Sequence, residues 1–291
     1  MEYLDNKIVE RYKSCLINLL DKFIAFCDKN SLNYFCAGGT TLGAVRHHGF
    51  IPWDDDIDLF MIREDYNKLL SLKRDLEEIG IGLEGIQSSD EFAVFLKIWD
   101  LNTTMWELEE IPFVYGVYID IFPLDYTDDT VGQFVKKYKL RRKLCFFYQM
   151  SLIKFSFRTF IRRITQRDSK FVVKGIMSLF VPHCFSRIIR NRILKEDLKE
   201  QNESGMYLVS YYGDYWDKEY YKSEWFKNFK LVDFESLRVR IPVGYQEYLT
   251  QIYHDFMKLP PKEKQRSHHY HYYLNLDIGM NIDEIRRELK K

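Results

Sequence analysis

The chain lacks an excess of charge, paired cysteines and long apolar runs, and each absence excludes a class of protein. Its 291 residues contain 43 Lys and Arg against 43 Asp and Glu, so the formal net charge is zero. This balance excludes a generally basic nucleic-acid binder, and we expect no nucleic-acid partner. Five cysteines without a Cys-x-x-Cys pair argue against a disulfide framework and a thiolate zinc site. With 46% hydrophobic residues, 14 Gly and 7 Pro, the chain is not of a disordered or fibrous type.

The sequence also lacks the segments that direct a chain across a membrane. Its N-terminus, MEYLDNKIVERYK, has no apolar core of a signal peptide, and no run of about 18 uncharged apolar residues exists. The cysteine usage fits a reducing compartment. We therefore expect a cytoplasmic protein, either soluble or peripheral at the inner face of the cell membrane.

The zero total conceals two strongly polarised regions. Residues 1–135 contain 11 basic and 25 acidic side chains, residues 136–199 contain 18 and 3, and residues 200–291 contain 14 and 15. The first region is therefore acidic and the second basic, and the third is nearly neutral.

The order of the apolar patterns predicts an α+β fold. An amphipathic helix over 7–29 precedes a short apolar strand, and further strands are predicted at 57–62, 92–99 and 114–122. A charged helix is predicted from residue 63 to about 78, and long basic helical stretches begin near residue 131. This order predicts a mixed sheet flanked by helices, with a mainly helical basic subdomain.

Two changes in the pattern of charged and apolar residues divide the chain into three parts. We expect a catalytic core over 1–130, a basic helical insertion or subdomain over 131–205, and a C-terminal part over 206–291 that completes the catalytic domain.

The segment FIPWDDDIDLF at 50–60 contains four carboxylates in five positions, which repel one another unless cations or solvent neutralise them. In a strand, residues i and i+2 share a face, so Asp56 and Asp58 would lie side by side while Ile57 and Leu59 face the core. Two adjacent carboxylates suit Mg²⁺ or Mn²⁺, which take oxygen ligands and keep positions for substrate phosphates.

A third acid, Asp120, lies inside the apolar strand YIDIFP at 118–123. A buried unpaired charge is costly, but Asp120 is tolerable if it joins Asp56 and Asp58 at a metal across adjacent strands. The alternative is a solvated acidic turn at 54–58 with Asp120 at the end of a strand.

A glycine turn precedes these acids. Gly38 and Gly39 are predicted to form a tight turn before a short helix that begins near Leu42, and to expose backbone N–H groups that hold phosphate, while Thr40 and Thr41 add hydroxyl donors. By itself such a turn is a common structural feature. Its position 17 residues before the pattern Asp-Ile-Asp makes phosphate binding the favoured interpretation.

This combination resembles the nucleotidyltransferase superfold, and the string AGGTTLGAVRHHGFIPWDDDIDL at 37–59 resembles the LicD family, which includes fukutin and fukutin-related protein. Further similarities are YIDIFPLD at 118–125, YLTQIY at 248–253 and LPPKEK at 259–264. Residues 131–205 show no clear similarity to the family.

The resemblance implies a nucleotidyltransferase-like mixed sheet flanked by helices. It also implies metal-dependent transfer of a phosphorylated small group, phosphocholine or a polyol or sugar phosphate, from a CDP-linked donor to a hydroxyl of a glycan or lipid-linked glycan, with release of CMP. Asp56 and Asp58 would be ligands of Mg²⁺ or Mn²⁺. Asp120 would be the third acid, either a ligand or the base for the incoming hydroxyl.

Other residues are candidates for contact with the substrate. Arg46 and Lys97 are candidate cations opposite the acids, although Arg46 could equally be a surface residue. Trp53 could stack on the nucleobase or pack in the core. His268 and His269 match the tail of the family pattern and could contact the donor phosphate, or be ordinary solvated histidines.

The basic region has two interpretations. Helices that place Lys and Arg opposite Phe and Leu bind anionic membrane interfaces, so 136–199 could hold the enzyme at a membrane. Alternatively, the region packs against the acidic half of the same chain.

Two other functions stay open on the sequence alone. One is transfer of a nucleoside monophosphate from a nucleoside triphosphate to a small molecule or protein, and the other is a non-catalytic scaffold that docks on membranes.

Overall fold

A computed structural model describes residues 6–87, 92–154, 156–165, 169–200, 202–265 and 271–290. The helices are α1 (Asn6–Asn30), α2 (Gly38–His47), α3 (Arg63–Ser71), α4 (Lys73–Glu78), α5 (Val131–Leu152), α6 (Phe157–Thr165), α7 (Ser169–Ser178), α8 (Ser186–Leu198), α9 (Tyr245–Tyr253) and α10 (Ile282–Glu288). The strands are β1 (Phe35–Cys36), β2 (Asp58–Ile62), β3 (Ile81–Glu84), β4 (Leu96–Asp100), β5 (Thr104–Trp106), β6 (Tyr118–Thr127), β7 (Tyr207–Val209), β8 (Tyr220–Lys222), β9 (Phe229–Phe234), β10 (Leu237–Pro242) and β11 (Tyr273–Asn275).

A seven-stranded mixed sheet forms the centre of the fold. Its main path is β1-β2-β6-β4-β3, while β7 pairs with the second half of β6 and β8 pairs with β7. The pairing of β2 with β6 is parallel, and the other pairs are antiparallel. The predicted α+β class and the mixed sheet flanked by helices are confirmed.

Helix α1 covers this sheet because its apolar residues recur every three or four positions. Leu16, Leu20 and Phe23 are fully buried, in one core cluster with Ile119 and Ile121 of β6. This burial fixes β6 in the middle of the protein, so the polar residues on β6 are held in a rigid environment.

Three local predictions differ from the structure. The two glycines form the first turn of α2, since the N–H of Thr41 already donates to the carbonyl of Ala37 at 3.1 Å. Asp56 lies in the loop before β2 rather than within the strand. The predicted charged helix over 63–78 is interrupted at Leu72, which separates α3 from α4.

The described residues of the basic region from 136 to 199 are mainly helical, as expected. Helix α5 begins with a capping box in which the Thr130 hydroxyl accepts the N–H of Gln133, and α5 packs against α8. Within the described residues, no helix is both long and apolar enough to cross a bilayer. Strands β7 and β8, which follow this region, extend the central sheet. The proposed domain boundaries themselves remain predictions.

A buried charge network joins α5 to α8. The Arg141 side chain is fully buried, with its guanidinium 3.3 Å from Asp197 and 3.6 Å from Glu200. The hydroxyl of Tyr212 donates to the same Asp197 carboxylate at 2.6 Å. The buried Arg141 of α5 therefore balances two buried acids, Asp197 near the end of α8 and Glu200 just after it.

We predict that Arg141→Met lowers the free energy of unfolding by about 3–5 kcal/mol, because it leaves the buried Asp197 carboxylate without its arginine, whereas Glu200 keeps its ion pair with Lys137. The neighbouring Arg142 provides a matched control, since its side chain is half exposed and pairs with the exposed Asp214. Arg142→Met should change stability by less than about 1 kcal/mol. Urea denaturation of both variants checks this, and equal losses would contradict the assigned role of Arg141.

Candidate functional site

Three charged side chains lie in one row across the centre of the sheet. Asp58 on β2 pairs in register with Asp120 on β6, and Asp120 pairs in register with Lys97 on β4. The Lys97 ammonium lies 2.6 Å from an Asp120 carboxylate oxygen and over the ring of Tyr118. The register brings two of the predicted acids together as expected, and it places a lysine against the second.

Burial dominates the electrostatics of Asp120. Loss of solvent raises the pKa of this carboxyl above its ordinary value; Lys97 opposes the rise, and the negative charges of Glu107 and Asp56 add to it. Asp56 thus acts electrostatically on Asp120 even though it lies in the loop before β2. Asp120 is therefore poised to hold or accept a proton more readily than an exposed aspartate.

A cavity of about 670 Å³ opens beside this row. Its volume is in the range of small-molecule sites. Acids line one part of it, namely Asp54, Asp56 and Asp58. The rest of the wall comes from the following residues: Gly39, Leu42, Arg46, Ile51, Trp53, Tyr215, Tyr253, His254, Asp255, Phe256, Lys258, Leu259, Pro260 and Pro261.

Backbone contacts with α2 fix the position of the acids. The Asp58 N–H donates to the Thr40 hydroxyl at 2.9 Å, and the Asp58 carbonyl accepts the N–H of Ala37 at 2.9 Å. A Cβ on Gly39 would lie 2.7 Å from a carboxylate oxygen of Asp54, so only glycine permits this approach without displacement. The first turn of α2 and the acidic loop therefore form one unit.

Arg46 connects α2 to the opposite wall of the cavity. Its guanidinium donates to the carbonyl of Phe256 at 2.7 Å, and its Nε lies 2.9 Å from the His47 ring. It thereby ties α2 to the segment 254–261, which follows α9 and lines the same cavity as the acids. Arg46 is both a cation on the cavity wall and the contact that positions that wall.

Two tyrosines complete the wall beside Arg46. The hydroxyls of Tyr215 and Tyr253 are hydrogen-bonded to each other, and burial raises the pKa of both phenols. Glu219, fully buried, accepts the N–H of Tyr215 at 3.1 Å and the hydroxyl of Tyr221 at 2.6 Å. Burial raises the pKa of Glu219 to about 7. Sequence reasoning missed Glu219, because nothing in its local pattern signals burial.

The other predicted substrate-binding residues occupy different positions. Trp53 lines the cavity, with its ring 6.4 Å from that of His47. The N–H of Gly38 donates to the Tyr248 hydroxyl at 2.7 Å, and the Thr41 hydroxyl donates to the Cys36 carbonyl. Their polar groups therefore stabilise the frame of the site, and a role for Gly38, Thr40 or Thr41 in phosphate binding stays a prediction.

Lys97 is buried against Asp120 rather than lining the cavity, so the structure shows it as the partner of an acid, and substrate contact stays a prediction. His268 and His269 lie outside the described residues.

Asp56 and Asp58 fit a divalent metal through the chemistry of their donors. Both line the same cavity, and Mg²⁺ is commonly held by one or two carboxylates together with substrate phosphates. Among the residues that the structure describes, no group of three His, Cys, Asp or Glu side chains is placed to hold a metal by itself. The pair therefore fits an ion shared with a phosphorylated ligand, and the third-ligand role of Asp120 stays a prediction.

We predict that Lys97→Met destabilises the fold by about 3–5 kcal/mol near pH 7, because Asp120 loses its partner. The raised pKa means that the folded state binds a proton that the unfolded state has released, so stability falls as pH rises through this interval. Without Lys97 the pKa rises further and the interval widens toward neutral pH. The loss should therefore shrink as pH falls toward the ordinary value of 3.8.

Urea denaturation at several pH values measures this effect. The double variant Lys97→Met/Asp120→Asn is the control, because it removes both charges and should recover most of the stability lost at neutral pH. A loss that is independent of pH and is not recovered in the double variant would contradict the electrostatic role of Lys97.

The sequence of this chain is similar to those of known proteins. Residues 31–161 match the family described as LicD/FKTN/FKRP, nucleotidyltransferase domain. The chain is 31% identical over 267 residues to the lipopolysaccharide cholinephosphotransferase LicD of Haemophilus influenzae, with 89% of this chain and 95% of the relative covered. An uncharacterized protein of Rickettsia typhi is 29% identical over 133 residues, which cover 46% of this chain and 41% of that protein.

The similarity to the Haemophilus protein includes nearly the whole of both chains, and the family match spans α2, the acidic loop, β2, β4 and β6. The chain therefore belongs to the LicD family of phosphotransferases.

Proposed function

We propose that the protein transfers phosphocholine, or a similar phosphorylated alcohol, from a CDP-linked donor to a hydroxyl group of a glycan, with Mg²⁺ or Mn²⁺ as cofactor. The observation that carries this proposal is the cavity of about 670 Å³, which is lined by the aspartates of the acidic loop, by Arg46 and by aromatic side chains. The name of the Haemophilus relative, a lipopolysaccharide cholinephosphotransferase, supports the choice of a choline donor and a glycan acceptor.

The lining of the cavity suits both the nucleoside and the diphosphate of such a donor. Trp53, Tyr215 and Tyr253 provide aromatic surface for a nucleobase or ribose. Arg46 provides positive charge on the same wall for the diphosphate. The aspartates by themselves would repel a diphosphate, so a nucleotide in this cavity requires a cation between the acids and the phosphates.

Asp56 and Asp58 are the residues that would hold this cation. When bound, the metal would neutralise charge on the diphosphate, which is the main requirement of phosphoryl-type transfer. The chain contributes the position of the carboxylates, which the Asp58 contacts with Thr40 and Ala37 keep fixed before any ligand binds.

The reaction breaks one bond and forms one. The acceptor oxygen forms a bond to the phosphorus that carries choline, the bond from that phosphorus to the bridging oxygen breaks, and CMP leaves with the bonding electrons. The acceptor proton must pass to a base. Asp120 is our candidate, since its raised pKa favours proton acceptance and its strand neighbour Asp58 lines the cavity.

Product analysis tests the reaction directly. The protein is incubated with Mg²⁺ and labelled CDP-choline, CDP-ribitol, CDP-glycerol or CTP, and the released nucleotide is identified by chromatography. CMP from a CDP conjugate supports the proposal. Pyrophosphate from CTP, with no CMP from any conjugate, would instead identify transfer of a nucleoside monophosphate, the activity suggested by the nucleotidyltransferase description of the family.

We predict that Asp58→Asn reduces CMP release more than about 100-fold, since loss of even an outer partner of a metal ligand costs 10–100-fold. Asp233→Asn, which removes a carboxylate on an exposed strand of the hairpin β9–β10, is the matched control and should retain activity. Thermal unfolding of both variants confirms that the fold is retained. Unchanged turnover in Asp58→Asn would exclude the metal-binding assignment.

A second prediction concerns the contact between Gly39 and Asp54. Gly39→Ala places a Cβ 2.7 Å from a carboxylate oxygen of Asp54, so this carboxylate must move away from its position at the cavity, and we expect a roughly tenfold loss of kcat/KM. Gly132→Ala is the control, because a Cβ there meets no atom within 4 Å and alanine favours the first turn of α5. Equal activity of the two variants would show that the position of Asp54 is unimportant.

A further inference from the structure

The helices of the basic region expose large apolar side chains. The exposed fraction is 71% for Phe157, 80% for Phe180 and 63% for Ile188. These residues belong to α6, to the segment after α7, and to α8. Singly exposed apolar residues are ordinary, but several in neighbouring elements mark a surface that binds something.

The exposed residues follow the period of a helix. On α6, Phe157, Ile161 and Ile164 are spaced by four and three, and all three are exposed. On α7, Val173 is also exposed, and α6 packs against α7, which in turn packs against α5. Adjacent helices therefore each direct apolar side chains away from the core while their other contacts hold them to the protein.

The charge of the same region indicates the partner. Residues 136–199 contain 18 Lys and Arg against 3 Asp and Glu. Lys154, Arg187 and Lys195 are exposed within it. A second copy of the chain would bring two strongly positive surfaces together, which is unfavourable. The acidic half of the same chain leaves these apolar residues exposed, so it does not cover them.

We propose that α6, α7 and the start of α8 form an interfacial docking surface for an anionic lipid bilayer. Phe157, Phe180 and Ile188 would enter the boundary between headgroups and acyl chains, and the surrounding basic residues would attract the lipid phosphates. Because the described helices include none able to span a bilayer, attachment is at the interface. This inference is independent of the donor and the acceptor.

Vesicle flotation of the full chain tests the surface. Vesicles of phosphatidylcholine alone are compared with vesicles that also contain phosphatidylglycerol, at a salt concentration of about 0.15 M. We expect the protein to float with the anionic vesicles, to stay unbound with the neutral ones, and to be released as the salt concentration is raised.

Paired variants locate the interaction. Phe157→Glu/Phe180→Glu puts two acids on the proposed surface and should weaken vesicle binding by roughly tenfold or more. Ile278→Glu/Leu289→Glu is the matched control, since both positions are more than half exposed and lie outside the basic region. Circular dichroism and thermal unfolding should show that both double variants fold as the wild type does.

Three results would overturn the proposal. The first is that the wild-type chain fails to bind anionic vesicles at this salt concentration. The second is that the Phe157→Glu/Phe180→Glu variant binds as well as its control. The third is a dimer of the wild-type chain, seen by light scattering and abolished in that variant, which would show that a second copy covers the surface. CMP release from a soluble donor is measured in parallel and should not depend on vesicle binding.

Discussion

The parallel pairing of β2 with β6 is the constraint on which the site depends. It places Asp58 and Asp120, both partly buried, opposite each other on adjacent strands, while β4 brings Lys97 to the other side of Asp120. Two neighbouring carboxylates with little access to solvent repel each other unless a cation offsets their charge. Lys97 does so for Asp120, and we propose that a metal ion does so where Asp56 and Asp58 line the cavity.

The surrounding structure keeps the acids in place from two directions. The first turn of α2 holds Asp58 through Thr40 and admits Asp54 because Gly39 has no side chain. On the other side, the hairpin β9–β10 holds the start of the acidic loop, since the Glu235 carboxylate accepts the N–H of Phe50 at 3.0 Å. The site is thus assembled from segments far apart in the chain, and hydrogen bonds within the protein position its acids.

The neutral total charge is the sum of two regions with different roles. The acidic part contains the carboxylates of the proposed metal site. The basic part is a helical layer in which the buried charge of Arg141 is neutralised by buried acids. The same layer exposes apolar side chains, so its excess positive charge is available to an external anionic surface. Acidic and basic residues are therefore concentrated in different parts of the chain, which the overall composition does not show.

The sequence predicts the acidic part of the site well and the opposite wall poorly. Asp58 and Asp120 could be recognised because a charge inside an apolar strand is costly and requires a partner. Lys97 has the same signal, but the register that directs it to Asp120 rather than to the cavity depends on β4 pairing with β6. The Arg46 contact with Phe256 and the burial of Glu219 are long-range features without a local pattern.

The most direct test of the account is a thermal-shift measurement with CDP-choline and Mg²⁺, added separately and together. If Asp56 and Asp58 bind the donor through a metal, the unfolding temperature should rise substantially only when both are present, and Asp58→Asn should abolish the rise. A rise with CDP-choline that needs no metal and persists in Asp58→Asn would contradict the central claim.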